Sequence, residues 1–492
     1  MKILLVYPET PSTFWSFKDA LKFISKKSAE PPLGLITVAA MLPKDWEKKL
    51  IDLNVSKLTD EDLLWADYLF LSGMTVHVNS VKEIIKRCNQ LGTKIVGGGP
   101  LFTTQHQDFL GIDHFVLNEA EITLPEFLRD LEAGTPKYLY TTNEFPEISL
   151  SQIPMWELLD MKKYASMSIQ YSRGCPYDCE FCSITMLNGR KPRTKNKEQF
   201  LAELDRLYLL GYRGSVSIVD DNFIGNKRKL KNEILPELIN WQKEKKYPFH
   251  FITEVSINIA DDDELIKMMV DAAINNVFIG IESPNNDSLA ECGKTQNQNR
   301  SLITSVKKLQ QHGMLVSAGF IIGFDHDPPD IFKQQIDFIR KSGIVNAMVG
   351  LLNAPPGTHL FKRLKQENRL LESWSGNNMD GSTNFIPKMN YKDLIAGYSK
   401  IVHTIYTPQE FYKRIKSFLN EYKVPSLKYR ALTLTEIKAF IKLIWLIGVL
   451  EKGQRYFWTT FIYSLLKHPK KFPLAMTLTV YGYHFRRIAA AI

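Results

Sequence analysis

Arg173-Gly174-Cys175-Pro176-Tyr177-Asp178-Cys179-Glu180-Phe181-Cys182 follows directly on an apolar run that begins at Met167. Three thiols at Cys-x3-Cys-x2-Cys spacing, on a loop after a strand, can grip three corners of one cubane iron–sulfur cluster. The fourth iron is then left without a protein ligand and can bind a small molecule, whereas a closed four-cysteine cluster suits plain electron transfer. Thiolate softness also admits zinc, but structural zinc usually takes four ligands from paired motifs. No further Cys-x2-Cys or His pair lies nearby. Cys88 and Cys292, the other two of five cysteines, are isolated, so there is no disulfide framework. A reducing cytosol is the expected compartment.

Around this loop, residues 166–366 repeat strand and helix six times. Strands are expected at Met167–Arg173, Ser215–Asp221, Phe249–Ile257, Asn276–Glu282, Leu315–Phe324 and Asn346–Asn353. Six units make a partial barrel, short of the eight of a closed one, and chemistry belongs at the carboxyl ends of the strands. Upstream, residues 1–140 alternate short continuous apolar runs (Ile3–Tyr7, Lys49–Leu53, Tyr68–Ser72, Lys94–Val96, His114–Leu117) with helical patterns. This is the pattern of a parallel, doubly wound sheet buried on both faces, with its ligand crevice off the carboxyl ends. Those ends carry Ser72-Gly73, Gly97-Gly98-Gly99 and Asn118-Glu119, which read either as a ligand cradle or as tight turns. Residues 141–165, with Pro146 and Pro154, read as a linker.

Residues 367–492 lose the alternation and become helical, basic and aromatic. Residues 401–492 hold 15 Lys and Arg against 4 Asp and Glu, while the rest of the chain holds 47 against 49. The net charge of +9 over 492 residues therefore belongs to the tail and does not signal a nucleic-acid binder. No run of about 18 uncharged apolar residues exists to span a membrane. The tail reads either as an interfacial helix or lid over an apolar substrate, or as a helical cap with its polar face in water. The architecture expected is thus α/β: a doubly wound domain, a partial (β/α)6 barrel and a mostly helical C-terminal domain.

A Cys-x3-Cys-x-aromatic-Cys loop after the first strand of a six-unit barrel resembles the radical S-adenosylmethionine (SAM) superfamily, and the upstream domain resembles the cobalamin-binding domain of one large subgroup. The C-terminal stretch Tyr481-Gly482-Tyr483-His484-Phe485-Arg486-Arg487 is similar to the extension of the branch that includes the hopanoid C2-methylases. The resemblance implies three cofactors: a [4Fe-4S] cluster on Cys175, Cys179 and Cys182, SAM chelating its fourth iron, and cobalamin. Phe181 would lie near the adenine, or pack under the loop. Asp220 and Asp221 stand where the superfamily presents a Gly-Gly-Glu-like motif to the SAM amino group. Glu254 and Ser256 match positions facing the SAM ribose or carboxylate, Gly280 and Glu282 the fourth-strand motif, and Asn353 the sixth-strand segment near the adenine. Each acidic residue has the competing role of helix cap or ion pair.

In the first domain, Ser72, Gly73, Gly97, Gly98, Gly99, Asn118 and Glu119 match loops around the cobalamin nucleotide tail. Asn118 and Ala120 stand where glycines are commoner. No Asp-x-His-x-x-Gly motif supplies a lower axial ligand; His77, His106 and His114 lack that context.

The implied reaction needs no side-chain base: a reduced cluster splits SAM, the resulting radical takes hydrogen from an unactivated carbon, and methylcobalamin delivers a methyl group. The expected activity is methylation of an apolar or lipid-like small molecule. Cyclisation or oxidation without methyl transfer, and a non-catalytic metal or cobalamin sensor, are the alternatives. A flavodoxin- or ferredoxin-type reductant is expected and no nucleic acid. The expected location is cytoplasmic, with the tail as a peripheral contact on the inner membrane surface.

Overall fold

The computed structural model describes residues 1–371, 375–377, 380–425 and 434–492. Six parallel strands form the first sheet: β1 (Lys2–Tyr7), β2 (Glu47–Asp52), β3 (Tyr68–Ser72), β4 (Lys94–Gly98), β5 (His114–Val116) and β6 (Leu139–Tyr140). Their order is β2-β1-β3-β4-β5-β6. Alternate residues feed two cores. Leu4, Val6, Leu69 and Leu71 face one side, and Ile3, Leu5, Phe70 and Val96 the other. Burial on both faces explains why these strands read as unbroken apolar runs. The strand order reverses at β1/β3, which places the crevice at the loops after those two strands.

The second sheet joins β7 (Ser166–Ile169), β10 (Gly214–Ile218), β11 (Phe249–Glu254), β12 (Ile274–Glu282), β13 (Leu315–Ile322) and β14 (Ala347–Leu351) in sequence order, all parallel. Met167, Ile169, Val216, Ile218, Val277 and Ile279 pack outward in one apolar core. The intervening positions, Ser168, Ser217, Glu254, Phe278 and Gly280, form the concave face.

One expected strand is shorter than the sequence suggests. The run Met167–Arg173 breaks after Ile169, and β8 (Ser172–Arg173) turns away to pair antiparallel with β9 (Arg193–Thr194). The cause is Asp220, whose carboxylate accepts from Tyr171 N at 2.7 Å and Ser172 Oγ at 2.5 Å and draws the chain out of the sheet.

Helix Tyr391–Ile405 packs on helix Ile331–Ser342 and on β14. Helix Phe472–Ala489 returns to the N-terminal segment, where His484 Nε2 donates to Thr13 O and Phe14 O at 3.1 and 3.2 Å. Phe14, buried between Phe485 and Tyr406, joins the same core as the barrel.

Candidate functional site

The carboxyl ends of the two sheets face one another, and side chains cross between them. Glu30, from the loop after β1, enters the barrel and accepts from Ser168 Oγ at 3.3 Å and from Ser217 Oγ. Glu119, from the loop after β5, accepts from Arg193 Nη2 at 2.6 Å and Nη1 at 2.9 Å, and from Arg173 Nη1 at 2.7 Å. Arg173 also pairs with Glu121 at 2.9 Å.

The cysteine loop lies at this junction. Its first residue, Gly174, has φ +93°, and a Cβ there would fall 2.8–2.9 Å from the carbonyls of Lys191, Asn188 and Gly189. Asp221 accepts from Gly174 N at 2.8 Å and Asn188 Nδ2 at 3.0 Å. Both aspartates therefore serve the loop: Asp220 positions its entry and Asp221 its first turn.

Cys175 and Cys182 are half-buried and Cys179 is buried. Burial pushes all three thiols up, Cys182 to about 12. A metal site would displace those protons on binding. No three thiols, carboxylates or imidazoles among the described residues converge as the donors of a single ion do. The triad instead shares one cation, the Lys294 ammonium, which acts on each thiol. Thiols set apart around a common cation fit the corners of a polynuclear, anionic cluster.

Lys294 is the residue that sequence reasoning missed here. Its Nζ donates to Glu282 Oε1 at 2.6 Å. Burial alone would lower its pKa, but Glu282 and the thiols outweigh that and raise it. Gly280 makes room for the pair, since a Cβ there would lie 2.2 Å from Glu282 Oε1 and 2.7 Å from Lys294 Nζ. Glu282 has φ +63° and follows a register shift in β12. Such a backbone is costly for a non-glycine residue and persists only when its surroundings hold it. Asn297 does so by donating to Gly280 O and Ile281 O, and Gln335 by donating to Glu282 O.

Glu254 ends β11 beside Phe278, its register partner, and Phe278 in turn pairs with Ser317. Glu254 is exposed and makes no side-chain hydrogen bond among the described residues. The protein packed around it and then the nearby Asp221, Glu30 and Glu282 carboxylates push it up to about 7. A raised carboxyl contributes full stability at low pH and loses it as pH climbs from about 4.5 through about 7. Glu254→Gln is thus expected to match the parent near the lower limit and exceed it above the upper one in chemical denaturation. Equal stability at both ends would mean that the carboxyl is fully hydrated.

The other expected residues are placed as follows. Ser256 donates to Asn258 Oδ1 at 2.7 Å, and Asn258 donates to Tyr177 OH at 2.8 Å, so Ser256 braces the cysteine loop. Phe181 packs towards Phe324, ring centroids 6.2 Å apart, in an apolar cluster with Cys292 and Leu360. Asn353 accepts from Asn384 N at 3.0 Å and fastens residues 382–384 to the end of β14.

In the first sheet, neighbouring protein fills the space beside the glycines. A Cβ on Gly97 would meet Phe115 at 3.2 Å, on Gly98 Val116 O at 2.9 Å, and on Gly99 Ser72 Oγ at 2.3 Å; Gly73 lies against Pro8. Gly99, with φ +85°, turns the chain into helix Pro100–Gln105. Asn118 adopts φ +63° and ties Thr141 Oγ1 to its own Oδ1 at 2.8 Å. Asparagine tolerates this conformation best among residues with a Cβ, so the commoner glycine is replaced without a change of turn. His77 is spoken for: Nδ1 accepts from Met74 N, Nε2 meets Thr10 Oγ1, and burial pushes it down to about 4. The glycines of this edge thus serve close packing of the sheet, and His77 is engaged within it.

Glu30, Arg193 and Trp15 were also not foreseen. Trp15 meets Phe278 in a tilted ring contact, centroids 4.7 Å apart and planes at 56°, and is 47 % exposed. Only their pairing across about 70 to 260 positions reveals their roles, and one sequence carries no sign of such pairs.

Family models match three stretches: a radical SAM superfamily domain over residues 169–339, a B12 binding domain over 24–128, and a domain of unknown function over 358–492. An uncharacterized methyltransferase of Synechocystis sp. is 41 % identical over 491 residues, covering 99 % of this chain and 91 % of that one. The hopanoid C-2 methylase of Rhodopseudomonas palustris is 32 % identical over 478 residues, covering 95 % and 90 %. Among solved structures, the cobalamin-dependent S-adenosylmethionine radical enzyme OxsB superposes with TM-score 0.64 at 16 % identity, covering 100 % of this chain and 80 % of that one. The radical SAM methyltransferase TsrM of Kitasatospora setae gives 0.59 at 15 %, covering 74 % and 78 %.

Proposed function

The chain belongs to the cobalamin-binding radical SAM enzymes of methyltransferase type, and from that premise we propose that it methylates an unactivated carbon of an apolar, lipid-like metabolite. The observation that carries the substrate class is the apolar Trp15–Phe278 ring contact, made by a strand residue of the barrel with a half-exposed tryptophan of the N-terminal segment. The relationship to the hopanoid C-2 methylase supports it.

When bound, the cluster with SAM supplies the radical that takes hydrogen from the substrate, and methylcobalamin supplies the methyl group. The chain's own residues bind and orient. Cys175, Cys179 and Cys182 would hold the cluster, with Lys294 balancing its charge. The free Glu254 carboxylate suits the cationic end of SAM, with Gly280, Glu282 and Ser256 beside it. Asp220 and Asp221 hold the loop, and Phe181 and Asn353 close the side nearest the adenine. Ser72, Gly73, Gly97–Gly99, Asn118 and Glu119 form the edge that would meet cobalamin. Residues 1–140 thus serve cobalamin, 141–165 link, 166–366 house the radical chemistry and 367–492 control substrate access.

The test is anaerobic turnover of reconstituted protein with SAM, methylcobalamin, reductant and a lipid extract. 5′-Deoxyadenosine and S-adenosylhomocysteine are expected in near-equal amounts, with a product heavier by one CH2. Deoxyadenosine without S-adenosylhomocysteine would replace methyl transfer by cyclisation or oxidation, and neither product would leave a sensor.

The reductant in this reading is an acidic electron carrier of flavodoxin or ferredoxin type. It is supported by a 490 Å³ cavity whose wall includes Pro176 and Tyr177, next to Cys175, and whose rim carries Lys191, Lys227 and Arg228. Lys191→Glu with Arg228→Glu is expected to slow reduction by reduced flavodoxin about tenfold at low salt, with dithionite reduction unaffected. Equal slowing by both reductants would move the docking surface elsewhere.

A further inference from the structure

Helix Leu434–Leu443 runs on as the π-helical segment Ile444–Leu450, against which helix Gln454–Lys467 packs. Trp458 Nε1 donates to Gly448 O at 2.9 Å, and the Phe440 and Phe461 rings stack at 6.3 Å, which fixes the pair. Each helix nonetheless leaves an apolar stripe in solvent. Ile437, Ile441 and Trp445 recur every four residues on the first, and Trp458, Ile462 and Leu466 on the second. Ile441 is 63 % exposed, Trp445 58 % and Leu466 74 %. Contiguous apolar surface of this kind marks an interaction site.

Charge narrows the occupant. Lys438, Lys442, Lys452, Arg455 and Lys467 belong to this stretch against two acids, Glu436 in the first turn of the first helix and Glu451, which is spent on Arg486 at 2.7 Å. Apolar stripes with tryptophan, framed by lysines, match an anionic lipid surface. A second copy fits less well, because a two-fold contact would set one lysine rim against the other. No helix among the described residues is long and apolar enough to cross a membrane, so the pair would lie on the surface.

The same helices connect to the site. Leu434–Leu443 packs on Lys22–Ile24, and Lys442 Nζ donates to Lys22 O at 2.9 Å. Upstream of that segment Trp15 makes its tilted ring contact with Phe278, and downstream of it Glu30 bonds Ser168 and Ser217. Residues 13–30 therefore span from the exposed stripes to the inside of the barrel. We propose that this helix pair docks on an anionic bilayer, with residues 13–30 joining the docked surface to the barrel.

Flotation of the full chain on vesicles tests the docking. The parent is expected to float with phosphatidylglycerol–phosphatidylcholine vesicles, weakly with phosphatidylcholine alone, and less at high salt. Ile441→Asp with Trp445→Asp should cut partitioning roughly a hundredfold without lowering the melting temperature, since both side chains are exposed. A parent that stays unbound, a double variant that floats equally, or sedimentation showing a dimer abolished by the same substitutions would each overturn it. Flotation reads no turnover, so a protein that floats yet methylates no lipid refutes the substrate class and leaves the membrane surface standing.

Discussion

Cys175→Ala, Cys179→Ala and Cys182→Ala are each expected to fold, to lose the iron–sulfur absorbance and to lose SAM cleavage entirely. Two thiols cannot hold a cubane that already has one open corner, so the loss is all-or-none rather than graded. Folding should survive because the loop's shape is held by other groups: Asp220 on Tyr171 and Ser172, Asp221 on Gly174, and Asn258 on Tyr177. Cys292 provides the internal control. It lies close enough to affect Cys179, but its thiol donates to Leu289 O at 3.6 Å and packs with Phe324 and Leu352 in an apolar cluster. That thiol lies outside the Cys-x3-Cys-x2-Cys loop and is buried among apolar side chains, which suits a packing residue. Cys292→Ala should therefore keep its iron and its turnover. Iron content, absorbance and deoxyadenosine yield check all four variants, and full turnover by any triad variant would refute the cluster assignment.

What could be read from the sequence follows the range of the interactions. Most strands of both sheets were legible as local apolar runs, the two-residue β6 (Leu139–Tyr140) being missed, and the cysteine loop was legible because its ligands fall within eight residues. The break after Ile169 was not, because the group that bends the chain is Asp220, about fifty positions on. Gly280 was singled out as a ligand-facing glycine, yet the atoms that need its missing Cβ include Lys294, which no local pattern connects to it. Gly98 shows the same limit, since the oxygen facing it belongs to Val116 on the next strand. Asn118 shows the reverse: a departure from the family's glycine that the backbone absorbs. The exposed stripe of Ile437, Ile441 and Trp445 has the periodicity of a core-facing helix, and only the fold shows that, among the described residues, it faces solvent.

Arg193→Met is expected to cost about 3–5 kcal/mol, the range for leaving a buried charge without its partner. The Arg193 side chain is 5 % exposed and that of Glu119 6 %, so water screens little of the pair. Arg193 also donates to Pro146 O at 2.5 Å and Asn188 O at 2.9 Å, tying the chain before the barrel and the residues after the cysteine loop to the first sheet. Two arginines meet two glutamates here, and removing one arginine leaves a net negative charge between the facing sheet ends. The compensating change is specific. Arg193→Met with Glu119→Met removes one charge of each sign and keeps Arg173 with Glu121, whose contacts at 2.9 Å are intact. Replacing a buried pair by apolar groups of similar volume is often close to neutral, so the double variant should lie within about 1 kcal/mol of the parent by urea denaturation. A single variant costing under about 1 kcal/mol would mean that water reaches the pair, and failure of the double to recover would mean that the carbonyl contacts of Arg193 matter more than its charge. If recovery is seen, cobalamin retention by the double variant separates the two roles of the Asn118–Glu121 loop. Stability depends on the balance of charge, whereas a contact with the nucleotide tail would depend on Glu119 itself.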